Sequence, residues 1–316
     1  MTATLPAMLD RRALLRGLAA LGLGAAAAGC SGPRTPELEK LVMLTGPPGA
    51  VFRELGASLV SALRPHLPTT TITARETGSS VDNLQLLREG AGQLGLASID
   101  AVESSGEAPA GLSAIGRVYD SFLHLVVLDD SPIKSFADID GRTVSLGAPG
   151  SSTGFTSDRL LSLTGVKPIA RQMSQAAGAD ALADRSLDAM LTLTGIPTPA
   201  ITDLAGKRAI RLVSLKSEAA LLADHYAGPY VAATIPTTTY AHVPPCETVA
   251  VPNLLLTRDD LGDDVVRIVT ETVFTEVSAI TKGHPEASHI NVRTGIATGI
   301  VPLHPGAAGW FRDVKR

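Results

Sequence analysis

Aromatic side chains make up only 3% of this 316-residue chain, with a single Trp. So few flat rings leave little for a site that stacks sugars or bases. A basic excess is missing too: 27 Lys and Arg stand against 31 Asp and Glu, a net charge of -4, which excludes nucleic acid as the main partner. The two cysteines, Cys30 and Cys246, have no paired spacing, so neither a zinc site nor a disulfide framework is expected, and Cys246, after two prolines, reads as a surface or edge residue. There is no H-E-x-x-H and no Gly-rich loop followed by Lys-Ser/Thr. Asp259-Asp260 and Asp263-Asp264 lack the order of calcium ligands and read as a solvated helix start. No cofactor and no metal is expected.

The apolar run Gly17 to Gly29 is too short for a permanent membrane helix, which needs roughly 20 residues. Arg11, Arg12 and Arg16 precede it, and Cys30-Ser31-Gly32 follow. Charged region, apolar region and small-residue cleavage site stand in the order of an export signal. Ala27-Ala28-Gly29-Cys30 resembles a bacterial lipobox, in which the cysteine is acylated, and the paired arginines resemble a twin-arginine signal, although ordinary secretory signals carry such pairs too. Residues 1–29 are therefore expected to be a signal peptide and residues 30–40 a polar tether, with the rest outside the cytoplasm, lipid-anchored to the membrane through Cys30.

Over the whole chain 45% of the residues are hydrophobic, enough for two lobes with separate cores. Leu41–Leu44, Thr70–Ala74 and Leu94–Ala97 read as strands, with helices carrying Val51, Leu55, Leu59 and Leu63, then Val81, Leu84 and Leu87 between them. That alternation predicts an α/β fold with a mostly parallel sheet, whose ligand crevice lies beyond the carboxyl ends of the strands. Ala114–Leu128 reads as strands leading out of the first lobe, Leu187–Thr194 as a strand, Thr248–Leu256 as a returning strand and Val265–Ile280 as one amphipathic helix. His124, inside an apolar run, reads as a core or hinge histidine. The lobes are expected at residues 41–127 with 243–316, and at residues 128–242.

The stretch Thr143–Gly165 is the most informative. A short β-branched run turns through Ala148–Gly154 into helical spacing from Phe155, leaving the first N–H groups of a helix free to meet a polar group. Gly150-Ser151-Ser152-Thr153-Gly154 also fits G-x-S-x-G, so three readings stand: a ligand cradle, a plain capped turn, or the nucleophile elbow of a serine hydrolase using Ser152. Gly78-Ser79-Ser80 occupies the same strand-to-helix context in the other lobe, which suggests two facing helix N-termini around a polar ligand. No histidine stands in an evident strand-end loop to serve Ser152.

From about Leu41 onward the chain resembles the TAXI-type solute-binding proteins of TRAP transporters. The resemblance rests on Glu76–Leu84, Leu123–Val127, Ile133–Ser135 with Asp138-Ile139, Val144–Thr153, Gly195–Ile201, Ala233–Tyr240 and Pro302–Ala307. It implies a two-lobed class II periplasmic-binding-protein fold, with a solute held between the lobes and delivered to an ion-gradient-driven permease. The implied ligand is glutamate-, glutamine- or dicarboxylate-like, the implied protein is not an enzyme, and a monomer is expected. Expected ligand-binding residues are Thr45, Gly46, Phe52, Ser79, Ser80, Asn83, Ser98 and Asp100 on the first lobe, Tyr119 near the crossover, and Gly150, Ser151, Ser152, Thr153, Gly195, Thr198 and Tyr230 on the second. An ABC-type binding protein is the nearer alternative. Thr45-Gly46-Pro47-Pro48-Gly49 departs from the family's glycine-rich loop, losing two backbone donors, and Phe52 stands where a Tyr is usual.

Overall fold

The computed structural model describes residues 38–104 and 106–315, so the expected signal peptide, Cys30 and most of the tether lie outside the described residues. The chain opens with β1 (Lys40–Leu44), α1 (Val51–Leu63), β2 (Thr71–Arg75), α2 (Ser80–Arg88), β3 (Leu94–Ser98) and the short α3 (Ile99–Val102). β1 lies parallel between β2 and β3, with Leu41 opposite Ile72 and Met43 opposite Leu94. Parallel neighbours cannot be joined by a tight turn, so helices cross over between them. Helix α1 shows the sequence pattern directly: Val51, Leu55, Leu59 and Leu63 form its buried stripe over Leu41, Met43 and Ile72.

Ala114–Leu128 belongs to a single strand, β4 (Leu112–Leu128). Its length serves two partners. Residues Leu112–Phe122 pair antiparallel with β10 (Cys246–Arg258), and Phe122–Val126 pair antiparallel with β7 (Ala189–Thr194). Between these strands the chain forms β5 (Thr143–Ser145), α4 (Ser152–Thr164), β6 (Ile169–Arg171), α5 (Gln175–Ala183), α6 (Pro199–Lys207), β8 (Ile210–Leu212), α7 (Lys216–His225) and β9 (Val231–Ile235). The strand order is β2-β1-β3-β10-β4-β7-β5-β6, with β8 beside β4 and β9 beside β10. β4 and β10 run against their neighbours, so the sheet is mixed rather than mostly parallel.

The expected helix over Val265–Ile280 is two helices, α8 (Asp263–Thr275) and α9 (Val277–Thr281), broken at Glu276, whose backbone leaves the helical region at φ -98°, ψ 29°. The carboxylate of Glu276 pairs with His66, a tertiary contact that no helical periodicity announces. After α10 (Val292–Gly295), the chain ends in α11 (Pro305–Val314), which the sequence reading left unassigned. Trp310 and Phe311 of α11 close on Phe274 of α8, with ring centroids 5.8 and 5.0 Å away, so three of the chain's few Phe, Tyr and Trp residues sit in this one satellite of the core. Cys246 is buried in β10 rather than exposed, because its strand is covered by β9, and burial pushes its thiol up to about 11. No helix among the described residues is long and apolar enough to cross a membrane.

Candidate functional site

The turn between β2 and α2 and the turn between β5 and α4 meet. Each has a glycine where a side chain has no room: a Cβ on Gly78 would stand 2.2 Å from the Pro149 carbonyl oxygen, and Gly150, at φ +69°, faces the Cβ of Asp82. The Gly150 carbonyl accepts hydrogen bonds from Val81 N and Asp82 N, both at 3.1 Å, so the first turn of α2 is capped by the opposite turn. Ser79 and Ser152 hydroxyls lie 3.5 Å apart across this junction. Ser79 holds φ 106°, a region L-residues rarely enter, so the turn is fixed by its surroundings.

The remaining α4 residues tie the turn down. Ser151 is the N-cap, its Oγ accepting from Gly154 N at 3.1 Å, and Thr153 Oγ1 accepts from Leu193 N of β7 at 2.9 Å. Ser152 hydrogen-bonds to no histidine among the described residues; its hydroxyl neighbour is Ser79.

Asp100 forms a second junction. It is fully buried, and its Oδ1 accepts from Ala101 N, while Oδ2 accepts from Thr156 Oγ1 of α4 at 2.7 Å and from Tyr230 OH at 2.9 Å. The Tyr230 hydroxyl in turn accepts from an Arg159 guanidinium at 2.9 Å, and Arg159 lies over the rings of Phe155 and Tyr226, 4.4 and 4.1 Å from their centroids. Burial, and then the Asp100 charge, hold the Tyr230 phenol well above its ordinary value, so it stays protonated and donates to the carboxylate.

Behind these junctions the strand ends are pinned from within. Asn83 Nδ2 donates to the carbonyls of Thr45 and Leu96, each at 2.8 Å, and Ser80 Oγ accepts from Ser98 N at 2.8 Å. Gly46 packs tightly on Phe52, whose ring meets Tyr119 edge-on at 6.1 Å. The proline loop contributes an acceptor: Pro48 O receives Ala176 N of α5 at 3.3 Å. A Cβ on Gly195 would stand 2.7 Å from the Tyr119 ring and 3.0 Å from Glu286 Cγ. Thr198, the residue before α6, receives the Tyr240 hydroxyl at its Oγ1, and the same hydroxyl lies 3.0 Å from His124 Nε2. Ser79, Ser80, Ser98 and Ser152 stand along one line where the turns meet, whereas Phe52, Tyr119 and Gly195 pack with one another; hollows of about 320 Å³ lie beside Gly150 and Ser151 and about 240 Å³ beside Tyr119 and Glu286.

The fold over which this line is drawn has known counterparts. A model of the NMT1-like family matches residues 43–314. This chain belongs to the NMT1-like family. Solved structures similar to this NMT1-like chain include the periplasmic binding protein BugD, 13% identical with a TM-score of 0.55 over 89% of this chain and 97% of that one. A putative L-cystine ABC transporter from Listeria monocytogenes is 14% identical, with a TM-score of 0.51 over 82% and 98%. The alkanesulfonate-binding protein SsuA from Xanthomonas axonopodis pv. citri bound to MOPS is 16% identical, with a TM-score of 0.50 over 88% and 84%. At such identities the likeness concerns the fold, which is that of the periplasmic binding proteins.

Sequence reasoning passed over Ser121, Gln175, Tyr240, Asn253 and Glu286, and left His124 as a core or hinge residue. Glu286 is 1% exposed; its Oε1 accepts from Ile196 N at 2.9 Å and Oε2 pairs with His289 at 2.9 Å. Burial, before any other cause, raises its carboxyl. A buried acid in a short 3-10 turn (Pro285–His289) carries no local signal in the sequence. Asn253 did carry one, as a lone amide inside the apolar strand Val249–Leu256, and so did Gln175 at a helix start.

Proposed function

We propose that this chain is an extracytoplasmic solute-binding lipoprotein of a TAXI-type TRAP transporter, which captures a small polar solute between two lobes and delivers it to an ion-gradient-driven permease. The observation that carries this reading is the direct meeting of the two Gly-Ser-Ser turns, each at the carboxyl end of a strand where such folds take their ligands. The lobes are residues 41–127 with 243–316, and residues 128–242; β4 and β10 are the strands by which the chain passes between them. Ser79, Ser80, Ser98, Ser151, Ser152 and Thr153 hold the solute, and no bond is made or broken. Closure shifts a population toward the bound form through contacts made only when the turns meet. Residues 1–29 direct export and Cys30 carries the lipid.

An ABC-type binding protein is the second reading, favoured by the structural likeness to binding proteins such as SsuA. The two part on energy source: uptake into vesicles holding the partner permease collapses with an ionophore in the TRAP case and with ATP depletion in the ABC case. Solute binding itself is tested by calorimetry and thermal shift; a chain that responds to no small polar solute is not a binding protein of this kind. A serine hydrolase reading predicts ester turnover lost on Ser152→Ala, whereas a binder turns over nothing in either form. Labelled palmitate incorporated by the native chain and lost in Cys30→Ser tests the anchor.

A further inference from the structure

The N-termini of α2, α4, α5 and α6 are already met from within the protein. Gly150 O takes the first-turn N–H groups of α2, Ser151 Oγ caps α4, Pro48 O takes Ala176 N at α5, and Tyr240 OH takes Thr198 N at α6. These are the donors an anion would use. Two of the cations nearby are engaged as well. Arg159 is bonded to Tyr230 OH and lies over two rings, and Arg117 is held bidentate by Asp120 at 2.7 and 2.8 Å.

What lacks a partner points the other way. Asn83 Oδ1, Ser98 Oγ, Gln175 Oε1 and Asn253 Oδ1 are buried with no hydrogen-bond partner in the protein. Ser98 and Asn253 are cross-strand neighbours, and Asn253 Nδ2 donates to Ser121 Oγ on the face of β4 that also carries Tyr119, the ring against which Gly195 packs. Gln175 donates to Thr192 of β7 beside the Pro48 contact. The Asn83 amide is oriented by its two carbonyl acceptors, which leaves its Oδ1 able only to accept. Buried groups of this kind are ordinarily satisfied, and the amide oxygens among them can be met only by a donor, whereas the Ser98 hydroxyl can accept or donate. The buried carboxyl side chains there are those of Asp100 and Glu286, and among the described residues no Lys or Arg is buried.

We propose that the cleft takes a solute rich in N–H or O–H donors and without net negative charge, in preference to a dicarboxylate. A carboxylate entering this line would be desolvated beside two buried acids, with no buried cation to offset it. An ammonium, amide or polyol would instead supply donors to Ser98, Asn83 and Asn253 and lose nothing to repulsion. This rests on the solute-binding reading above.

The test is thermal shift and calorimetry on the full chain with glutarate and glutamate as anionic probes and glutamine, putrescine and xylitol as donor-rich probes without net negative charge. The expected result is a rise in melting temperature with at least one of the latter three and none with the anions at equal concentration. A response to glutarate or glutamate alone, or at lower concentration, overturns the inference and leaves the solute-binding reading standing. No response to any of the five overturns both. For the probe that binds, Ser98→Ala is expected to weaken affinity by roughly 3- to 10-fold while the ligand-free melting temperature holds, because that hydroxyl has no partner in the protein. Unchanged affinity in that variant places the ligand elsewhere and overturns the assignment.

Discussion

Single hydroxyls and one imidazole carry much of what this site can do. Tyr230 donates to a carboxylate with no exposure to water, so Tyr230→Phe leaves Asp100 short of one of its donors. A loss of about 1–3 kcal/mol is expected, read as a lower denaturant midpoint with an unchanged slope. His124 is fully enclosed, and desolvation, against hydrogen bonds from the backbone, lowers its pKa from 6.5 to about 4. The unfolded chain therefore takes up a proton below 6.5 that the folded chain refuses until about 4. Stability from this group is complete above that window and falls as pH drops through it, by up to about 3 kcal/mol. His284, also lowered by burial, adds to the same trend, whereas Glu286, raised by burial, opposes it because acid relieves its penalty. Urea midpoints of His124→Gln between pH 7 and pH 4 should fall less steeply than those of the native chain. Equal slopes would show that His124 is not the group responsible.

At the scale of elements, two turns of the same composition do different work from what their sequence suggests. Taken alone, each Gly-Ser-Ser turn opens a helix whose N–H groups face outward. In the structure one turn's carbonyl caps the other's helix, so the pair is a junction as much as a cradle. Gly78→Ala tests this, because its methyl meets the Pro149 backbone rather than a movable side chain. The two turns should then fail to meet, with the radius of gyration in solution rising by about 1 Å and ligand affinity falling at least 10-fold, while far-ultraviolet circular dichroism stays native. An unchanged radius and affinity would mean that the contact is not needed for closure. The strands explain which elements were legible. α1 announced itself by its one buried stripe, β1 and β3 by short apolar runs buried on both faces, and β2 by its β-branched content. β9 and α11 did not, since Val231–Ile235 is mostly exposed and α11 is short, and both are made by what they pack against.

Across the whole molecule, stability is spread over a sheet continued through β4 and β10 and three buried clusters. The satellite of Phe274, Trp310 and Phe311 lies far along the chain from β1 yet packs in the same cluster as α1. Trp310→Ala is expected to cost about 3–5 kcal/mol and to lower the melting temperature without altering which probes bind; a change in ligand selectivity would tie α11 to the cleft instead. The sequence by itself determined the α/β alternation, the strand-end positions of Ser79, Ser98 and Ser152, and the scarcity of aromatics and of basic charge, because these follow from local spacing and composition. Only the tertiary structure decided that Asp100 is shared between Thr156 and Tyr230, that Glu286 is buried beside Gly195, and that the Gly150 carbonyl caps the first turn of α2. Those facts depend on contacts between residues more than fifty positions apart in the chain, such as Asp100 with Thr156 and with Tyr230, and no periodicity or motif encodes which distant group will complete a hydrogen bond.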